Sequence, residues 1–243
     1  MAKLSVNVNK LATLRNARGG NVPDLVKTSL DIIRFGAQGI TVHPRPDGRH
    51  IRRQDVYDLK KAINVEFNIE GYPSKDFLDL VCDVVPEQCT LVPDPPDVIT
   101  SNAGWKVAEK QEILSEALDK LKSKKIRVSL FIDPFDVSES DLDLIGRIGA
   151  DRIELYTEAY ARAFAKIDQD EVVKTYTKVA KWSVNRSIGL NAGHDLDLKN
   201  LSFLIKQIPE IKEVSIGHAL ICDALYLGLE ETIKSYLACC TPD

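Results

Sequence analysis

The chain has 243 residues, 44% of them hydrophobic, enough to bury one substantial core and the ordinary size for a single (β/α)8 barrel domain covering 1–243. A formal net charge of -4 and a pI near 5.7 give no broad positive field, which argues against nucleic acid or an anionic membrane as the main partner. Five cysteines without a CxxC pair, an N-terminal MAKLSVNVNK without an apolar leader core, and no long apolar run lead to the expectation of a soluble, cytoplasmic chain with reduced thiols.

In chain order, short apolar or β-branched runs fall at 4–8, 39–43, 65–69, 89–92, 126–132, 152–155, 188–191 and 213–216. Helical patterns lie between them. PDLVKTSLDIIRFGA, at 23–37, closes on Gly36, and DEVVKTYTKVAKWSVN, at 170–185, starts acidic and turns basic, as the helix dipole favours. Strand and helix repeated eight times is the grammar of a closed parallel barrel, an α/β TIM barrel with extra helices. The alternative, an open doubly wound sheet, lacks its GxGxxG after the first strand. The basic runs at 49–53 and 120–127 read as a turn and as the solvated end of a helix.

Period two along the first strand puts Asn7 and Asn9 on one face. It does the same for Thr41 with His43, and for Asn68 with Glu70, so polar pairs end the first three strands. Buried polar groups there must be paired or functional, because an unpaired amide or carboxylate in a dry interior costs several kcal/mol. After the second strand, His43-Pro-Arg45-Pro-Asp-Gly-Arg49-His50 gathers basic side chains in a turn held open by two prolines and a glycine. That composition suits an anion pocket, and a phosphorylated small molecule is its natural guest; a solvent-facing basic turn is the alternative. The stretch 93–105 (PDPPDVITSNAGW) reads as a long mobile loop, either a lid or a surface excursion, and 158–169 has room for an extra helix. Near the end, SIGHALI runs from strand into helix through Gly217, a corner where barrels often seat phosphate on helix amides.

All four histidines, His43, His50, His194 and His218, fall in or just after apolar runs, at the level where barrels keep their chemistry. Imidazole gives and takes protons near neutrality, so the clustering points to proton transfer. Convergence of His43, Glu70, His194 and His218 on a metal ion is the weaker reading, because the first strand offers Asn7-Val8-Asn9 where metal-dependent barrel hydrolases commonly carry an HxH pair. Acid-base chemistry with no metal and no organic cofactor is expected.

The strings VNVNKLATLRNARGG, ITVHPRPDGRHI, FNIE, LVPD, VSLFID, NAGH and SIGHALI, in that order, resemble the pyridoxine 5'-phosphate synthase family over nearly the whole chain. The resemblance implies a (β/α)8 barrel with extra helices, assembled as a homo-octamer. It implies condensation of 1-deoxy-D-xylulose 5-phosphate with 3-amino-2-oxopropyl phosphate to pyridoxine 5'-phosphate, phosphate and water. By motif it makes His43 and Glu70 proton acceptors and His194 a proton donor. Arg45 and His50 then hold the deoxyxylulose phosphate, Gly217 and His218 the phosphate of the amino ketone, and Asn7, Arg18 and Thr100 contact ligands, with Glu154 a polar member of the wall. Arg18 is expected to reach a neighbouring subunit's site.

Two departures stand out. Where the family often has Asp-His, this chain has Asn9-Lys10, which keeps hydrogen bonding and positive charge but loses titration near pH 7, so both carry over only as contacts. Where it has Gly after the NAGH histidine, this chain has Asp195, carried over as a substrate contact whose carboxylate would repel a phosphate unless the side chain turns away and only the backbone amide faces inward. Two other functions remain in view: a phosphosugar aldolase or isomerase using Lys10 as a Schiff-base amine, and a catalytically silent phosphate-binding scaffold.

Overall fold

The structure, a computed structural model, describes residues 1–94, 103–164, 166 and 169–241. In chain order the elements are β1 (Lys3–Asn7), α1 (Asn9–Asn16), α2 (Leu25–Arg34), β2 (Gly39–Val42), α3 (Arg53–Ala62), β3 (Glu66–Gly71), α4 (Lys75–Val84), β4 (Gln88–Leu91), α5 (Gln111–Ser123) and β5 (Arg127–Ile132). There follow α6 (Glu139–Arg147), β6 (Arg152–Tyr156), α7 (Glu158–Phe164), α8 (Gln169–Val184), β7 (Gly189–Gly193), α9 (Leu201–Gln207), β8 (Ile211–Ile216), α10 (His218–Leu227) and α11 (Leu229–Cys240). The strands pair in parallel, each with its chain neighbour, and β8 returns to β1 to close an eight-stranded TIM barrel. Every expected strand is found, and α7 fills the space foreseen at 158–169.

Strand alternation divides the barrel into two environments. Leu4, Val6, Ile40, Val42, Phe67, Ile69, Leu130, Ile153, Leu155, Leu190 and Val214 are fully buried in the apolar layer between sheet and helices. Burial of each such side chain contributes about 1.5–3 kcal/mol. The helices answer with apolar stripes. In α2, Leu25, Ser29 and Ile32 face inward, Asp24 caps by accepting Lys27 N–H at 2.9 Å, and Gly36 ends the turn at a φ of 115°.

The alternate strand residues point into the barrel, as bonds between strands that are not neighbours require. Gln88 of β4 donates to Glu213 of β8 at 3.4 Å, and Thr90 of β4 to Glu154 of β6 at 3.5 Å. Barrel interiors are usually packed with Val, Ile and Leu. This one is polar, with Ser5, Thr41, Asn68, Thr90, Ser129, Glu154 and Asn191 all buried.

One boundary moves from its expected place. β1 stops at Asn7, and Asn9 and Lys10, expected at the strand end, are the first two residues of α1. The cause is local: Asn7 Oδ1 accepts Asn9 N–H at 3.0 Å, an Asx turn that takes the chain out of the sheet. In the basic run at 120–127, Lys120 pairs with Asp79 and Lys122 with Asp151, both at partly exposed positions, as a solvated face should. The five cysteines are free thiols, and among the described residues no helix is long and apolar enough to cross a membrane.

Candidate active site

A cavity of about 810 Å³ opens at the C-terminal end of the barrel. Asn7, Asn9, Lys10, His43, Arg45, His50, Glu70, His194, Asp195, Gly217 and His218 all line it. Backbone geometry explains the first of these. Asn7 Nδ2 donates to Glu70 Oε2 at 3.5 Å, and Asn9 Oδ1 accepts His43 N–H at 3.0 Å. The two asparagines thereby tie the ends of β1, β2 and β3 around one opening. His43 Nδ1 lies 4.0 Å from Glu70 Oε2, a gap that one water or substrate oxygen can bridge.

Burial separates the ionisation of this pair. It lowers His43 to about 3, and electrostatic repulsion from Arg45, His50 and Arg49 pushes the same way, so the imidazole is neutral at pH 7 and able to accept a proton. It pushes Glu70 up to about 7, against the pull of His194 and a hydrogen bond from Ser215 Oγ at 3.4 Å. A carboxyl that titrates near neutrality exchanges protons readily in either direction. One layer below, Glu154 is raised far above the carboxylate range, first by burial and then by the charges of Glu70 and Glu213, and its carboxyl is held as the acid.

His194 sits on a turn just past β7, with φ values of 82° at His194 and 58° at Asp195. Thr157 Oγ1 shares its proton between the carbonyls of Gly193 and His194, and Asn200 Nδ2 donates to Asp195 O at 3.1 Å. Tyr156 packs edge-on against the His194 ring, 5.0 Å between centroids. Gly193 is required for space: a Cβ there would stand 2.4 Å from Glu154 Oε1. The Asp195 carboxylate does not stand alone, because its Oδ2 lies 2.8 Å from His194 Nδ1, and that bond holds it below the usual carboxylate range.

The basic turn after β2 is folded back onto the wall. Arg45 is buried, with Nη2 3.4 Å from Asp94 Oδ2, while Arg49 pairs with Asp47 at 2.7 Å nearer the solvent. His50 Nδ1 accepts Ile51 N–H at 2.9 Å, so its neutral form carries the proton on Nε2. Burial, followed by Arg45, Lys10 and Arg49, lowers His50 to about 4. The ATLRNARG segment holds this turn in place. Asn16 Nδ2 donates to His50 O at 2.8 Å, and buried Arg15 grips Asp55 through two bonds of 2.6 and 2.8 Å.

On the other side of β1 from that turn, Gly217 is the N-cap of α10, with no side chain capping the first amides. Such uncapped N–H groups attract anions. Lys10 is exposed on the first turn of α1, and His218 is exposed with Nε2 3.7 Å from Cys222 Sγ. Arg18 is exposed beyond the end of α1 and is not part of the cavity wall. Thr100, with most of the loop expected at 93–105, lies outside the described residues. Among the described residues no three His, Cys, Asp or Glu side chains gather as metal ligands.

Several wall residues escaped the sequence reading. Ser215 bonds Glu70, Asp94 faces Arg45, and Val92, Phe131 and Tyr156 form a buried apolar cluster at the mouth. The signal was present: the period that paired Asn68 with Glu70 also pairs Glu154 with Tyr156 and Glu213 with Ser215.

The chain matches the model of the family "Pyridoxal phosphate biosynthesis protein PdxJ" over residues 4–242. A pyridoxine 5'-phosphate synthase of Porphyromonas gingivalis is 57% identical to it over 97% of this chain and 98% of its own length. Another, of Bacteroides thetaiotaomicron, is also 57% identical, over 98% of this chain and 99% of its own. Among solved structures, phosphoribosyl anthranilate isomerase from Thermotoga maritima superposes with a TM-score of 0.59 at 13% identity, covering 99% of this chain and 98% of that one. That last likeness is one of fold alone.

Proposed function

This chain belongs to the family of the pyridoxal phosphate biosynthesis protein PdxJ, and from that premise we propose that it makes pyridoxine 5'-phosphate by condensing 1-deoxy-D-xylulose 5-phosphate with 3-amino-2-oxopropyl phosphate. It is a pyridoxine 5'-phosphate synthase of vitamin B6 biosynthesis. The observation that carries the chemical reading is the neutral His43 imidazole 4.0 Å from a carboxyl that titrates near 7, with His194 on the same wall.

The substrate amine attacks the deoxyxylulose ketone and loses water to give an imine. Glu70 and His43 take up protons during dehydration and enolisation, and His194 protonates a departing oxygen. Ring closure then aromatises the product, with phosphate and water released. Arg45 and His50 hold the deoxyxylulose phosphate by charge and ring N–H, while the amides at Gly217 and His218 receive the phosphate of the amino ketone. Asn7, Asn9, Lys10 and Thr100 are further contacts, and Glu154 offers a protonated carboxyl from below. Every step is carbonyl and proton chemistry eased by positioning and by exclusion of water along Val92, Phe131 and Tyr156, so neither metal nor organic cofactor enters the scheme. The enzyme is a cytoplasmic transferase working as a homo-oligomer, an octamer by family resemblance, with Arg18 reaching a neighbouring subunit's cavity.

Incubation of the purified protein with both phosphorylated substrates tests this. Pyridoxine 5'-phosphate fluorescence and released phosphate should rise together, at the same rate with and without chelator. His194→Ala should lower kcat about a hundredfold or more with the fold intact. Unchanged turnover in that variant would remove His194 from the mechanism.

A further inference from the structure

Asp195 occupies a backbone position that an L side chain rarely adopts, at a φ of 58°, directly after His194 at 82°. Two consecutive left-handed residues that are not glycine cost free energy, and such strain persists where the surroundings over-determine it. Here the turn is already held by other groups. Thr157 binds the Gly193 and His194 carbonyls, and Asn200 binds the Asp195 carbonyl. The carboxylate of Asp195 is therefore not needed to make the turn, and glycine would adopt this conformation without strain. What the side chain does instead is meet His194 Nδ1 at 2.8 Å.

We propose that Asp195 is a positioning residue for the proton donor: its carboxylate accepts from His194 Nδ1–H and fixes the ring so that Nε2, on the opposite edge, is the atom that exchanges protons with substrate. An imidazole whose tautomer is undecided presents the wrong nitrogen part of the time, and a fixed acceptor on one nitrogen settles which atom is available. The Tyr156 ring packs T-shaped against His194, 5.0 Å between centroids, and supports the ring from that side. When Nε2 takes its proton, the adjacent carboxylate balances the charge of the imidazolium. Among the described residues, Glu70, Arg162, His218 and the Tyr156 hydroxyl also act electrostatically on this pair.

This inference rests on His194 being the proton donor, and its test separates the two. The full-length protein is compared with Asp195→Gly, Asp195→Asn and His194→Ala, using the two phosphorylated substrates and ¹⁵N spectra of labelled histidine. Asp195→Gly should fold as well as the parent, with an equal or higher Tm, yet lose about tenfold or more in kcat while KM for both substrates stays within about twofold. Its His194 ¹⁵N signals should move from the Nδ1–H pattern to a mixture of tautomers. Asp195→Asn keeps a neutral acceptor and should keep the Nδ1–H pattern, with kcat between that of Asp195→Gly and the parent. Parental kcat in Asp195→Gly beside an inactive His194→Ala overturns the positioning role alone, as does a slow Asp195→Gly whose His194 spectrum is unchanged. Parental turnover in His194→Ala overturns the reading beneath it.

Discussion

At the floor of the barrel, Arg152 donates to Glu213 at 3.2 Å and to Asn191 at 2.9 Å, and Arg127 and Lys3 both reach Glu66, at 3.3 and 3.2 Å. At the mouth, four residues beyond Glu66 along β3, Glu70 stands 4.0 Å from His43, and among the described residues no arginine or lysine is paired to its carboxyl. Both regions bury acidic groups in a polar interior, and the outcomes differ. Burial raises Glu66, but Arg127 and Lys3 outweigh it and hold the group below the usual carboxylate range. Burial raises Glu70 and nothing of comparable strength opposes it, so its proton stays until about 7. Two cations at contact distance make Glu66 a brace; burial still raises Glu213 against the pull of Arg152 and Arg127, and Glu70, with no such cation beside it among the described residues, makes a reagent.

The mouth should therefore answer mutation in rate and the floor in stability. Glu70→Gln keeps the size of the side chain and removes its titration, and should reduce kcat by roughly 10²–10⁴-fold. A loss under about tenfold in steady-state turnover breaks the distinction. Arg152→Met keeps most of the side-chain stem but leaves Glu213 without its nearest cation, and should cost about 3 kcal/mol in denaturant unfolding. The folded fraction of that variant should turn over at close to the parental kcat; a rate collapse without loss of stability would place chemistry at the floor.

The same contrast sets a pH dependence. Glu70 keeps its proton in the folded state up to about 7 but only to 4.5 when unfolded, so the stability it contributes is complete below pH 4.5 and is lost as pH rises through about 7. Stabilities of the parent and Glu70→Gln should diverge as pH rises from 4.5 to about 7, and above 7 the inactive variant should be the more stable by the full difference. His43 runs the other way: its folded value near 3 lies below the ordinary 6.5, so its contribution is lost as pH falls from 6.5 through 3. The smallest effect is at Ser215, whose hydroxyl favours the ionised form of Glu70. Ser215→Ala should move the acid limb of the kcat/KM profile upward by less than about one pH unit from near 7; a downward shift contradicts that role.

Period-two alternation located the strands and the polar ends of the first three, because one side chain in two must point inward whatever the tertiary detail. It did not foresee that β1 ends at Asn7, since a side-chain amide accepting Asn9 N–H is a local event that hydrophobic pattern does not record. Arg15 and Asn16 sat in a quoted motif, but their partners, Asp55 and the His50 carbonyl, lie some 34 to 40 residues away, and only the closed barrel brings them together. Asp195 looked like an obstacle to phosphate when read as a bare charge; its bond to the preceding histidine became visible only with the left-handed turn in place. Partners set by long-range closure and by backbone conformation were illegible, while residue types and their depth in the barrel were legible.

The central claim is that the Glu70 carboxyl at the mouth, unlike Glu66 braced at the floor, holds its proton into the neutral range. Difference infrared titration of the parent against Glu70→Gln isolates the carboxyl stretch of that one residue. A protonated band that disappears with a midpoint near pH 7 is the expected result. A band that has already gone by pH 5 would contradict it.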